Sequence, residues 1–223
     1  MPAHSQLVLS LFSGVGLLDS GFERHGFCVV RGPEKITGGD IRGFNVLPGR
    51  FDGVVGGSPC QDFSRARRCP PTGEGLELLG HFVRIVSEAQ PDWFLLENVP
   101  GVPDVAIEGY YVQRFELSPT QLGHAQRRLR HFQFGSKRGL LLDIHRSAFT
   151  GTPQPCLTAS EFGKPDCRSF ARFCQLQGLP ADFDLPEFHK AGKYRAVGNG
   201  VHVAVASEVA RAICEATSSE NPR

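Results

Sequence analysis

The chain has 223 residues, 24 Lys and Arg against 23 Asp and Glu, a formal net charge of +1 and 40% hydrophobic residues. That length supports one substantial core with at most a small appendage. The near-neutral, ordinary composition excludes an intrinsically disordered chain and gives no whole-chain signal for nucleic acid.

The elements read in chain order. A short apolar run predicts a buried strand over 6–11, ended by Ser13-Gly14. A helix follows over 17–25, with Leu17, Leu18 and Phe22 on one face and Gly26 as its stop. Strands are expected over 27–30, with Glu34 just past the end, and over 51–55, leading into Pro59-Cys60. Helical spacing in Leu76, Leu79, Phe82, Val83 and Val86 predicts a helix over 76–89, and 93–96 reads as another buried strand. Further strands are expected over 110–117 and 130–134, and helices over 169–177 and 203–216. Strand and helix in alternation imply an α/β fold with a largely parallel sheet covered on both faces. Segments 35–39 and 101–109 are too short for crossover helices, which need about a dozen residues. The sheet is therefore expected to lack one or two helices, leaving edges or faces for a protein partner or a second copy of the chain. The loop-like stretch 139–155 separates the main body from a C-terminal return.

Seven cysteines, an odd number without a CxxC pair, argue against a disulfide framework or zinc site. They point to a reducing, cytoplasmic setting. Cys28 and Cys214 sit in apolar runs and are expected to be buried. No apolar stretch reaches membrane-spanning length, and the run 7–12 lacks the flanks of a signal peptide. Arg65, Arg67 and Arg68 form one basic cluster, and Arg127, Arg128, Arg130, Lys137 and Arg138 another; local clusters of this kind suit phosphate.

Five constellations carry chemistry. Phe12-Ser13-Gly14-Val15-Gly16 is a strand running into a glycine turn and a helix, where backbone N–H groups can approach a ligand closely. Glu34, about one strand later, is placed to hold ribose hydroxyls, and Asp40 to accept from an adenine amino group. Cys60 lies in a polar, glycine-rich turn, with the Arg65 cluster nearby to favour its thiolate. Glu97 closes a hydrophobic strand, where burial demands a partner or a task. It is expected to bond and protonate a heteroaromatic ring attacked by Cys60, oriented by Arg128 or Arg130. Gln126, Arg128 and Arg130 alternate along an expected strand and would share one face suited to phosphate and base oxygens. Gly198-Asn199-Gly200-Val201 reads as a turn before the last helix, returning the chain to the cofactor pocket.

In this order the motifs resemble the cytosine-5 DNA methyltransferase family, over about 7–215. The glycine turn resembles its first motif, Pro59-Cys60-Gln61 its nucleophile loop, and Glu97-Asn98-Val99 its ENV motif. Gln126, Arg128 and Arg130 match QxRxR, Leu176-Gln177-Gly178 resembles the ninth motif, and Gly198-Asn199-Gly200-Val201 the tenth. The resemblance implies a Rossmann-like S-adenosylmethionine-dependent methyltransferase acting on a cytosine flipped from double-stranded DNA, with S-adenosylhomocysteine as product and no metal. The cofactor residues would be Phe12, Ser13, Gly14, Gly16, Leu17, Glu34, Asp40, Ile41, Pro59, Asn199 and Val201; the catalytic ones Cys60, Glu97, Arg128 and Arg130. Gln61, Ser64, Arg65, Gln126 and Arg146 would contact DNA. An RNA acceptor or a non-catalytic relative are the alternatives. The expected organisation is a catalytic and cofactor-binding part (1–138), a reduced target-recognition segment (139–159) and a C-terminal return (160–223). So short a recognition segment implies a short or relaxed target sequence, or help from another protein.

Overall fold

The computed structural model describes residues 5–64 and 70–218. Six strands form one sheet: β1 (Leu7–Leu11), β2 (Cys28–Arg31), β3 (Gly53–Gly56), β4 (Trp93–Asn98), β5 (Tyr111–Leu117) and β6 (Arg130–Ser136). Their order is β2-β1-β3-β4-β6-β5. The first four in that order are mutually parallel, and β6 runs antiparallel to both its neighbours. Five helices complete the α/β, Rossmann-like fold: α1 (Leu17–Arg24), α2 (Glu74–Ala89), α3 (Phe170–Leu176), α4 (Lys190–Asn199) and α5 (Val203–Ser218). None of the described helices is long and apolar enough to cross a membrane.

The central strands are apolar at nearly every position because both faces are covered. Alternate residues enter two separate cores. Val8, Val55, Trp93 and Leu95 pack with Phe22 of α1 and Val205 and Val209 of α5. Leu9, Leu11, Val54, Phe94 and Leu96 pack with Leu79, Phe82 and Val86 of α2. Each such fully buried side chain contributes about 1.5–3 kcal/mol. A third, smaller cluster joins Leu157, Phe173, Leu176, Tyr194 and Val197 in the C-terminal part.

Two connections lack crossover helices, as their length requires. The faces they leave are nevertheless filled from within: Ile41, Phe44 and Val46 after β2, and Val102, Val105 and Ile107 after β4, all join the α2-side core. Cys28, expected inside, is exposed because β2 is an edge strand with a neighbour on one side only. Cys214 is half-buried. The strand expected to carry Gln126 and Arg128 begins only at Arg130; before it the chain makes a single bridge, Gln126 to Gln154. Helix α4 was not expected. Its basic, glycine-containing sequence lacks a clear apolar stripe, and Gly198 and Asn199 are its last residues rather than part of a turn.

Two cross-strand pairs set aromatic rings over glycines. Gly53 faces Trp93, and Gly135 faces Phe94. The rings occupy the space where either Cβ would lie. Gly135→Ala is therefore expected to lower stability by about 1–3 kcal/mol through overpacking, read as a reduced midpoint in urea unfolding with an unchanged slope.

Candidate active site

Chain order reverses direction between β1 and β3, and open α/β sheets bind ligands beyond the carboxyl ends of their strands at such a point. A cavity of about 570 Å³ opens there. Its floor comes from the loops leaving β1, β3 and β4, and one wall from α4.

The turn after β1 is held in an unusual backbone. Phe12 has φ +56°, and Gly14 and Gly16 have φ +55° and +78°. A left-handed Phe is costly, and such strain collects at ligand sites. The turn is fixed from outside by Glu34, whose Oε2 accepts from the Gly14 N–H at 2.9 Å. Beneath it, buried Asp19 in the first turn of α1 accepts from the Ser10 hydroxyl at 2.6 Å and from Arg31 Nε at 2.8 Å. Asp40 caps a 3₁₀ turn by accepting from the Arg42 N–H at 2.9 Å, which holds its carboxyl below the usual range.

Glu97 and Asn98 are the last residues of β4, and every residue of that strand is buried. Arg130 Nε donates to Glu97 Oε1 at 2.9 Å. Burial pushes the Glu97 carboxyl above its ordinary pKa, opposed by Arg130 and Arg128. A Cβ on Gly57 would stand 2.8 Å from the other oxygen, Oε2, so glycine at 57 leaves room for the carboxyl beside the loop that carries Cys60. Asn98 ties the same loop down, donating to the Ser58 carbonyl at 2.9 Å and its hydroxyl at 3.0 Å. On the far side of the loop, Asp62 accepts from the N–H groups of Thr72 and Gly75 at the start of α2. Cys60 is thus anchored before and after.

Cys60 and Glu97 line the same cavity. Burial raises the Cys60 pKa; Arg130 opposes this, and the Glu97 charge adds to it. Burial and the Glu97 charge thus both favour the protonated sulfur. Arg65, Arg67 and Arg68 lie outside the described residues.

Of the expected cofactor residues, Phe12, Ser13, Gly14, Leu17, Glu34, Asp40, Ile41, Pro59, Asn199 and Val201 all line this cavity. Gly16 does not; it passes beside the Arg31 guanidinium, where a Cβ would meet Nη2 at 2.7 Å. Arg130 and exposed Gln61 line it too.

Arg128 does not reach the cavity. It is buried and donates to the carbonyls of Leu157 at 3.1 Å, Gly198 at 2.8 Å and Gly200 at 2.9 Å. Burial, and then Arg130, pull its pKa down to about 10. Gln126 is also buried, donating to the Leu176 carbonyl at 2.7 Å and Gln177 Oε1 at 2.9 Å. Gln177 in turn donates to the Gly200 carbonyl at 2.8 Å. These residues stitch the C-terminal return to the segment before β6, so the expected substrate contact for Arg128 and DNA contact for Gln126 are both corrected. Their alternation had no strand to act on, and each side chain instead satisfies buried carbonyls. Ser64 is half-buried outside the cavity, its N–H donating to the Cys60 carbonyl at 2.9 Å. Arg146 is exposed beside a separate shallow hollow formed with Leu122, His145, Ser147 and Glu208.

Among the cavity residues that sequence reasoning missed are Phe188 and His189, just before α4, and Gly192, Arg195 and Ala196 on it. The steps from 188 to 192, 195 and 199 follow the helical i, i+3, i+4 rule and were the available signal. Among the described residues, no group of three or more His, Cys, Asp or Glu side chains could hold a metal ion.

Comparison with known proteins bears on what such a site belongs to. The family model for C-5 cytosine-specific DNA methylase matches residues 7–162. The chain belongs to that family. It is 35% identical over 167 residues to the Type II methyltransferase M.FnuDI of Fusobacterium nucleatum, covering 60% of this chain and 47% of that protein. It is 31% identical over 165 residues to M.NgoPII of Neisseria gonorrhoeae, covering 60% and 48%. The chain thus spans about half the length of the curated relatives it matches. The fold is shared with the Entamoeba histolytica methyltransferase EhMeth, with a TM-score of 0.73, 12% identity, and 99% of this chain and 100% of that one covered.

The family's QxRxR arginines therefore divide their work in this chain, Arg130 on Glu97 and Arg128 on the fold. Because the Arg130 charge lowers the pKa of both Cys60 and Glu97, Arg130→Met is expected to raise both. Alkylation of Cys60 by iodoacetamide, followed by peptide mass spectrometry, is expected to shift to higher pH than in the unsubstituted protein.

Proposed function

We propose that this chain transfers a methyl group from S-adenosylmethionine to carbon 5 of a cytosine flipped out of duplex DNA. The supporting observation is the convergence of the Cys60 thiol and the Arg130-bound Glu97 carboxyl on one cavity. The residues present suit this cofactor. The left-handed turn at Phe12 and Gly14 lets backbone approach a ligand, Glu34 presents a carboxylate beside it, and Ile41 and Pro59 offer apolar surface for a purine. Asn199 and Val201 close the pocket from the C-terminal side. When bound, S-adenosylmethionine supplies an electrophilic methyl group.

The Cys60 thiol would release its proton to solvent and add as thiolate to carbon 6 of the ring. Glu97, its hold on a proton strengthened by burial, would donate that proton to N3 while its other oxygen accepts from the exocyclic amine. With its proton in place, Glu97 would no longer oppose the Cys60 thiolate, whose charge Arg130 favours. Carbon 5, made nucleophilic, would take the methyl group with S-adenosylhomocysteine as the leaving thioether; its proton would then pass to a base, the N3 proton would return to Glu97, and Cys60 would depart as the thiolate. Arg130 holds Glu97 and lines the same cavity, where it would meet the base oxygen. Residues 139–159 serve as a minimal recognition segment that includes Arg146, with Gln61 nearer the flipped base.

Incubation with labelled S-adenosylmethionine and unmethylated duplex DNA is expected to give 5-methylcytosine, with no label on transfer RNA. Cys60→Ser is expected to abolish transfer while still binding S-adenosylhomocysteine by calorimetry. Methylation unchanged by that substitution, or labelling of RNA alone, would overturn the reading. Glu97→Gln is expected to lower kcat by about 10²–10⁴-fold, the usual worth of a general acid.

A further inference from the structure

Four cationic side chains line the cavity: Lys35, Arg42, Arg130 and Arg195. Three have carboxylate partners. Lys35 faces Glu74 at 3.8 Å, Arg42 binds Glu77 at 2.7 Å and Asp40 at 3.3 Å, and Arg130 binds Glu97. Arg195 has none among the described residues. Of the acids lining the cavity, Asp19 pairs with Arg31, and Asp40, Glu74 and Glu97 with the three paired cations; Glu34 accepts from the Gly14 N–H and has no cationic partner among the described residues. Arg195 is therefore an exposed cavity cation that pairs with no carboxylate among the described residues.

Its position narrows what would neutralise it. Arg195 stands on α4 one turn before Asn199, the residue expected at the cofactor pocket, and its side chain is exposed. Phe188 and His189 just before α4, and Gly192, Ala196 and Asn199 on it, also line the cavity, with no acid among them. An exposed guanidinium at the rim, beside a pocket that also holds Cys60 and Glu97, suits the phosphate of a strand whose base enters that pocket.

We infer that Arg195 binds a backbone phosphate of the acceptor strand next to the flipped base. The inference rests on the proposed nucleic-acid methyltransferase function and adds a contact that the sequence motifs did not assign. Arg195 is a positioning residue: it holds the strand so that the base reaches Cys60, and takes no part in bond making. The matching carboxylate on the cofactor is the competing anion, and the two are separable by experiment.

The test measures binding of a short fluorescent cytosine-containing duplex by anisotropy across a series of salt concentrations, and of S-adenosylhomocysteine by calorimetry. Arg195→Met is expected to make the plot of log K against log salt shallower by about 0.9, the loss of one phosphate contact. KM for DNA is expected to rise with kcat little changed. Arg195→Lys, which keeps the charge, restores the slope; Arg50→Met, at the amino end of β3 and outside the cavity, leaves it unchanged. S-adenosylhomocysteine binding is expected to be the same in all variants. A wild-type protein that binds duplex while Arg195→Met keeps the full slope overturns this inference and leaves the proposed function standing. Weakened S-adenosylhomocysteine binding with an unchanged slope overturns it too, in favour of the cofactor carboxylate. A wild-type protein with no affinity for duplex DNA overturns both readings.

Discussion

A carboxyl group buried at the end of a fully apolar strand is the constraint around which this site is organised. Glu97 cannot stay charged there without help, because removing a carboxylate from water costs several kcal/mol. Arg130 supplies that help across the antiparallel β4–β6 pair. The antiparallel β6 thus does more than extend the sheet: it brings a cation from a distant part of the sequence to the carboxyl end of β4. The rest of the loop architecture follows. Gly57 yields space to Glu97, Asn98 fastens Ser58, and Cys60 emerges from a loop held at both ends.

The two arginines of the motif divide the work by depth. Arg130 is half-buried and serves the cavity; Arg128 is buried and serves the fold. Arg128 gathers carbonyls from the segment at Leu157 and from the end of α4, and Gln126 with Gln177 extends the same seam. Buried carbonyls left unpaired cost roughly 1–3 kcal/mol each. The seam therefore fixes where Asn199 and Val201 meet the pocket, and couples the cofactor wall to the strand that carries Arg130.

The short connections after β2 and β4 have a visible physical basis. Where crossover helices are missing, the connecting loops contribute their own apolar side chains, Val102, Val105 and Ile107 on one side and Ile41 and Phe44 on the other. These residues close the α2-side core. The reduced connections therefore need not imply open apolar faces, which is what their length alone suggested.

The strands and most helices were legible in the sequence because period-two and period-3.6 patterns are local properties of a chain packed on both faces. The residue types at the site were legible for a similar reason: a cysteine in a glycine-rich turn and a glutamate closing an apolar run are anomalies wherever they fold. Helix α4 escaped because its face toward the cavity mixes glycine, arginine and asparagine and shows no apolar stripe. The roles of Gln126 and Arg128 could not be read either, since a guanidinium bound to solvent, phosphate or buried carbonyl looks the same in one dimension. The sequence by itself determined which chemical groups are present and roughly which strands deliver them. Only tertiary structure decided which became buried, and therefore which pKa values moved and which cation was left unpaired, because burial and pairing depend on neighbours remote along the chain.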